Sequence, residues 1–222
     1  MDPRQDFHED FGITGLSRYI GMQLKYFDAP GCLDLVLALS EDRGGSAYVK
    51  EVLDDARRLA RSSLPDEALS ALWLAAVNGR FDPARANIPV RAWFDRIADT
   101  CIGYVRRDDP SFEPEEPERD GHPELGATVL AELRAVEAVL AEKAVTNLYV
   151  PPLPGLVPAL DAAVTALGSD LGFRLFLRAM KVYFVPIGPG RLARFEEIGR
   201  VLGYHDWVVE DGNLNVWSDL ED

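Results

Sequence analysis

Apolar positions recur every three or four residues along most of the chain, which is the spacing of one face of an α-helix. Residues 13–27, ITGLSRYIGMQLKYF, predict an amphipathic helix that stops at Asp28-Ala29-Pro30-Gly31. A short apolar segment, CLDLVLALS, runs to the turn Arg43-Gly44-Gly45, and Ser46 sits where a helix N-cap is expected. Behind it Val49, Val52, Leu53, Ala56, Leu59 and Ala60 keep helical spacing. Pro65, Asp66 and Glu67 suit a first turn; Leu69, Leu72, Trp73, Ala76 and Val77 then share a face until Asn78-Gly79. Asn87 is expected to cap a further helix with the stripe Val90, Phe94, Ile97, Cys101 and Tyr104, in which Cys101 reads as a buried structural thiol.

The stretch RRDDPSFEPEEPERDGHPE, residues 106–124, has almost nothing to bury and interrupts the pattern. Leu125, Val129, Leu133, Val136 and Leu140 then resume a helix; others are expected from about Leu156 to Gly168 and from Arg191 to Leu202, closed by Gly203. Between them Leu171–Val185 is apolar nearly all round, apart from Arg174, Arg178 and Lys181, whose spacing places them on one basic helix edge. The end of that segment, KVYFVPI, reads equally as helix or buried strand. The fold expected is mainly α, in two helical halves: an N-terminal domain over 1–107 and a C-terminal domain over 124–222. An acidic Pro/Glu-rich linker or exposed loop at 108–123 joins them, and either half can pack on the other.

One short stretch, WVVEDGNLNVW from Trp207 to Trp217, poses a sharper choice. A calcium loop with Gly212 at its sixth position would put Trp207 and Val209 where oxygen ligands belong, and that reading fails. Asp211-Gly212 is instead a favoured centre for a two-residue hairpin turn. A β-hairpin over 206–217 would gather Trp207, Val209, Leu214 and Val216 on one face. Asp206, Val208, Glu210, Asn213, Asn215 and Trp217 would lie on the other.

Charge changes the picture once it is located. The chain of 222 residues has a net charge of −14. Eight acidic residues and one arginine lie between Asp108 and Glu124, and six acidic residues with no Lys or Arg lie between His205 and Asp222. These two segments hold 13 of the 14 net negative charges. Such a surface repels nucleic acid and anionic lipid and favours a basic protein partner; the bland alternative is two solvated charge runs. No apolar stretch approaches the ~20 residues of a membrane span. The acidic N-terminus and two widely separated cysteines, Cys32 and Cys101, fit a reducing cytoplasm. Arginine over lysine, with abundant Ala, Gly and Pro, suits a GC-rich bacterial genome.

Candidate chemistry is sparse. His8, His122 and His205 share no metal spacing, and Gly-x-Ser-x-Gly, dinucleotide and kinase motifs are missing. Gly188-Pro189-Gly190-Arg191 lacks the spacing and lysine of a phosphate loop. No catalytic residue, cofactor or metal is therefore expected. Trp217 beside SDLED has the composition of an interface anchor with electrostatic steering. The candidate partner-binding residues are Trp217, Asp219, Glu221, Asp222, Glu210 and Asp211. Two structural alternatives are that Trp217 packs under a helix, and that Asp219, Glu221 and Asp222 fold back onto the Arg174/Arg178/Lys181 edge.

The DDPSFEPEEPERD run and the EDGNLNVWSDLED terminus give a small, acidic chain without catalytic motifs. In that format it resembles the immunity proteins of bacterial polymorphic-toxin systems. The resemblance implies a cytosolic protein that occludes a cognate toxin, with Trp217 as anchor. Two other readings are an enzyme, hydrolase-like, with a site between the halves, and a helical scaffold with seams at 90–104 and 125–140.

Overall fold

The computed structural model describes residues 7, 9–23, 27–42, 45–116, 121–148 and 151–221. Among them the helical stripes become ten α-helices. The first half supplies α1 (Gly12–Met22), α2 (Ala29–Asp42), α3 (Ser46–Arg61), α4 (Asp66–Ala76) and α5 (Val90–Asp108). The second supplies α6 (Gly126–Thr146), α7 (Leu156–Leu167), α8 (Ser169–Val182), α9 (Pro189–Val201) and the one-turn α10 (Asp206–Val209). The stripes point inward as expected: Val90, Phe94, Ile97 and Cys101 of α5 are buried, as are Val129, Leu133, Val136 and Leu140 of α6. Burial pushes the Cys101 thiol up to about 12, so it stays protonated at neutral pH.

Some local boundaries differ from the pattern. Pro30 lies inside the first turn of α2, because Asp28 Oδ1 accepts from the Gly31 amide at 2.9 Å and caps the helix. Asn87 ends a 3₁₀ turn at φ 56°, and α5 begins three residues later. The expected turn at Arg43-Gly44 falls outside the described residues. Of the acidic segment, 117–120 also falls outside them. The part before it lies along α3, with Phe112 half-buried and Lys50 Nζ 5.8 Å from its ring centroid.

Helix α8 organises the molecule. Every residue from Ser169 to Val182 is buried, and α1, α4, α6 and α7 all pack on it. A helix that is apolar nearly all round has no face to offer water and belongs inside. Burying Leu171, Phe173, Phe176, Leu177 and Met180 stabilises the fold by roughly 1.5–3 kcal/mol each. Gly172 permits the closest crossing: a Cβ there would lie 2.7 Å from the Val164 Cα of α7.

The C-terminal β element takes a form other than the hairpin expected at 206–217. Residues 206–209 are helical, and Asn215–Val216 (β2) pairs in parallel with Pro186–Ile187 (β1). Two causes act against the hairpin. His205 Nδ1 accepts from the Trp207 amide at 3.2 Å and caps α10, winding up what would have been the first strand. A two-residue turn of that kind also needs positive φ at both central residues. Gly212 has φ 77°, but the non-glycine residues of positive φ among those described are Asn78, Asn87 and Phe184. The KVYFVPI segment resolves into the end of α8, a turn at Tyr183–Phe184 and β1.

Candidate functional site

The three cations of α8 are not a surface edge. Arg174 is 1% exposed, and Arg178 and Lys181 are also buried. A buried charge is costly unless paired, and each of these has found a partner from a distant part of the chain. Arg174 donates to Asp55 of α3 through both terminal nitrogens, at 2.6 and 2.8 Å, and to Asp170 one turn earlier at 3.1 Å. Its guanidinium also lies 4.5 Å from the Phe11 ring centroid, and Tyr204 donates to Asp170 at 2.5 Å. Burial alone would lower the Arg174 pKa, but Asp170 and Asp55 outweigh it and hold it well above its ordinary value. Asp55 additionally accepts from the Ile13 amide at 2.9 Å, which requires α1 to start with a glycine. Gly12 sits at φ 60°, where a Cβ would lie 2.1 Å from Asp55 Oδ2.

Further along α8 the charges turn toward the C-terminal segment. Arg178 Nε donates to the Ala76 carbonyl at the end of α4, 2.9 Å away. Burial pushes its pKa down to about 10, so it remains charged at neutral pH. Lys181 Nζ donates to the Val208 carbonyl at 2.9 Å and lies 3.2 Å from Asp211 and 3.9 Å from Asp10. Arg18 of α1 approaches Asp211 from another side at 3.7 Å. Burial would raise the Asp211 carboxyl, but Lys181 and the bonds from Asn213 and Lys181 dominate and lower it. Lys181 thus pins α10 and the turn after it to the core.

This geometry divides the residues expected to face a partner. Asp211 is turned inward onto Lys181 and is not available at the surface, because a paired carboxylate beside a buried ammonium outcompetes a solvated one. Glu210 is half-buried, with Oε1 accepting from the Gly212 amide at 3.1 Å. Asp219 and Glu221 are exposed, and Asp222 lies outside the described residues. The fold-back of Asp219 and Glu221 onto the α8 cations does not form, since those cations are occupied from within. Trp217 is 57% exposed. Its indole donates to Asn215 Oδ1 at 2.8 Å while Asn215 Nδ2 donates to the Phe184 carbonyl at 2.9 Å, so one asparagine fixes the ring against the β1–β2 pair.

Other large apolar side chains of this region are exposed, among them Trp207 and Val216, which the hairpin would have placed on its apolar face. Phe184, 64% exposed and at φ 49°, belongs to the turn before β1. Val216 and Leu220 are also exposed, and Trp207 on α10 is 61% exposed beside exposed Asp206. No Lys or Arg occurs from Val201 to Glu221. The sequence signal for Phe184 is weak, because an aromatic inside an apolar run reads as core. The Gly188-Pro189-Gly190-Arg191 loop holds no spare cation, since Arg191 and Arg194 both donate to Glu132 of α6 at 2.7 Å.

No helix among the described residues is long and apolar enough to cross a membrane. Comparison with protein-family models, with characterised proteins and with solved structures found no match for this chain.

Proposed function

We propose that the protein is a binding protein whose C-terminal surface, centred on Trp217, captures a basic protein partner in the manner of an immunity protein occluding a toxin. The observation that carries this reading is a pair of exposed aromatic residues, Trp217 and Phe184, both bonded to Asn215, in a chain that buries most of its large apolar side chains. Trp217, Phe184, Val216 and Leu220 supply the apolar area, with Asp219 and Glu221 beside them. Tryptophan held in one orientation loses little conformational entropy on binding, which suits an energetic anchor. The exposed acids Asp206, Asp219 and Glu221, without a cation nearby in sequence, would steer a basic surface and repel a nucleic acid. The buried Lys181–Asp211 pair supports the reading indirectly, because it fixes the segment that presents the surface.

Co-expression with the product of the neighbouring reading frame tests it. The wild type is expected to protect cells and to form a complex whose association slows as salt rises. Trp217→Ala with Asp219→Asn and Glu221→Gln is expected to cut the association rate at least tenfold at low salt. Equal protection by wild type and triple variant would remove this surface from the function.

A further inference from the structure

A second concave feature lies where the end of α3 meets the start of α6 and the end of α7. It is a cleft of about 550 Å³, within the size range of small-molecule sites. One wall carries Arg57, Arg58 and Arg61 from the last turns of α3. The opposite wall is mostly apolar, with Leu130 of α6 and Leu167 of α7 among its side chains, and the N-terminus of α6 opens onto it at Gly126. Cations are common at a helix C-terminus because they complement its dipole. That tendency accounts for exposed arginines, but it does not account for Arg57, which is buried and faces the cleft.

Arg58 Nη1 lies 4.0 Å from Asp170 of α8, whereas Arg57 and Arg61 find partners in the acidic segment. Arg61 Nη1 donates to both carboxylate oxygens of Glu116, at 2.9 and 3.0 Å. Arg57 donates to the Glu115 carbonyl, and its other terminal nitrogen is 3.9 Å from Glu116. Glu116 is the one carboxylate among the described residues lining the cleft, and its side chain is 82% exposed. One solvated carboxylate therefore faces the two guanidiniums of Arg57 and Arg61, each built to receive an oxyanion with paired donors.

We infer that this cleft binds a small organic oxyanion, a phosphate or carboxylate attached to an apolar body. Its charged end takes the place of Glu116 on Arg57 and Arg61, and its body lies against Leu130 and Leu167. Glu116 then acts as a built-in competitor, and occupancy releases the segment before residue 117 from α3. The site is separate from the Trp217 surface and does not depend on that reading.

Isothermal titration of the full chain with phenyl phosphate, phenylacetate and benzyl alcohol tests the inference. At least one of the two anions is expected to bind and the neutral alcohol to give no heat; the anion that binds identifies the head group. Glu116→Gln removes the competitor and is expected to tighten binding at least threefold. Arg61→Gln, at an exposed position that leaves the fold intact, is expected to weaken it about tenfold. No binding of either anion to wild type or Glu116→Gln, equal binding of benzyl alcohol, or affinity unchanged in Arg61→Gln would each overturn it.

Discussion

At the scale of single residues, the side chain that changes most between sequence and structure is Asp211. Read along the chain it belongs to an acidic tail; in the fold it belongs to Lys181. The consequence is a dependence on acid. The native carboxyl titrates below its ordinary value, near 3.9 for an aspartate in an unfolded chain. A group whose native pKa is depressed contributes its full stabilisation above the unfolded value and loses it as pH falls through the native one. Wild type is therefore expected to lose stability on acidification below about pH 4, and part of that slope is expected to vanish in Asp211→Asn. Urea unfolding midpoints from pH 3 to 6 for the two proteins check it; parallel curves would mean that Lys181 does not hold this carboxylate. Trp217 illustrates the opposite case, since alternation along a strand and the real structure both leave it in water, for different reasons.

At the scale of elements, the helices of α3, α5 and α6 were legible because their apolar stripes are local signals. The role of α8 was legible only in part. Its nearly continuous hydrophobicity already argued for burial, yet three cations spaced by four and three residues suggested a wet edge. What decides between these is the set of counterions, Asp10, Asp55, Asp170 and Asp211. Three of them lie outside α8, with Asp55 119 residues from Arg174. No window of sequence contains that information. The hairpin failed partly for the same kind of reason: beside the local His205 cap, Lys181 reaches across 27 residues to hold the Val208 carbonyl in a helical turn. The pairing of α3 with α8 is expected to be strong when broken and modest when replaced. Asp55→Asn should destabilise toward the lower end of roughly 3–5 kcal/mol, because Arg174 loses its bidentate partner but keeps Asp170. Adding Arg174→Met should recover part of that loss, and a double-mutant cycle in guanidinium chloride reads the coupling. Additive losses would mean that the two side chains are held independently.

At the scale of the whole molecule, charge is sorted by depth. The C-terminal surface and the acidic segment keep Asp206, Asp219, Glu221, Glu115 and Glu116 in solvent, whereas the arginines and the lysine of α8 are folded inward, Arg174 and Lys181 against aspartates and Arg178 onto the Ala76 carbonyl. The net charge of −14 was legible in the sequence, but which acids face outward was not, since that depends on which ones α8 claims. The cleft beside Arg57 was hidden for a related reason. Its arginines are ordinary helix-end residues until α7 closes over them, and α7 is about a hundred positions away.

The placement of α8 also sets an order of events during synthesis. Asp55 and the α3 helix leave the ribosome 119 residues ahead of Arg174. At about 5–20 residues per second, that is a wait of roughly 6–24 s with an unpaired aspartate and the faces of α1 and α4 still uncovered. A chain truncated after Gly168 is expected to remain in that condition. Its amides should exchange with deuterium within minutes and a protease should degrade it, whereas adding residues 169–222 should protect α1, α3 and α4 together. The nascent chain is therefore expected to commit to this fold only when its most buried helix, α8, has emerged.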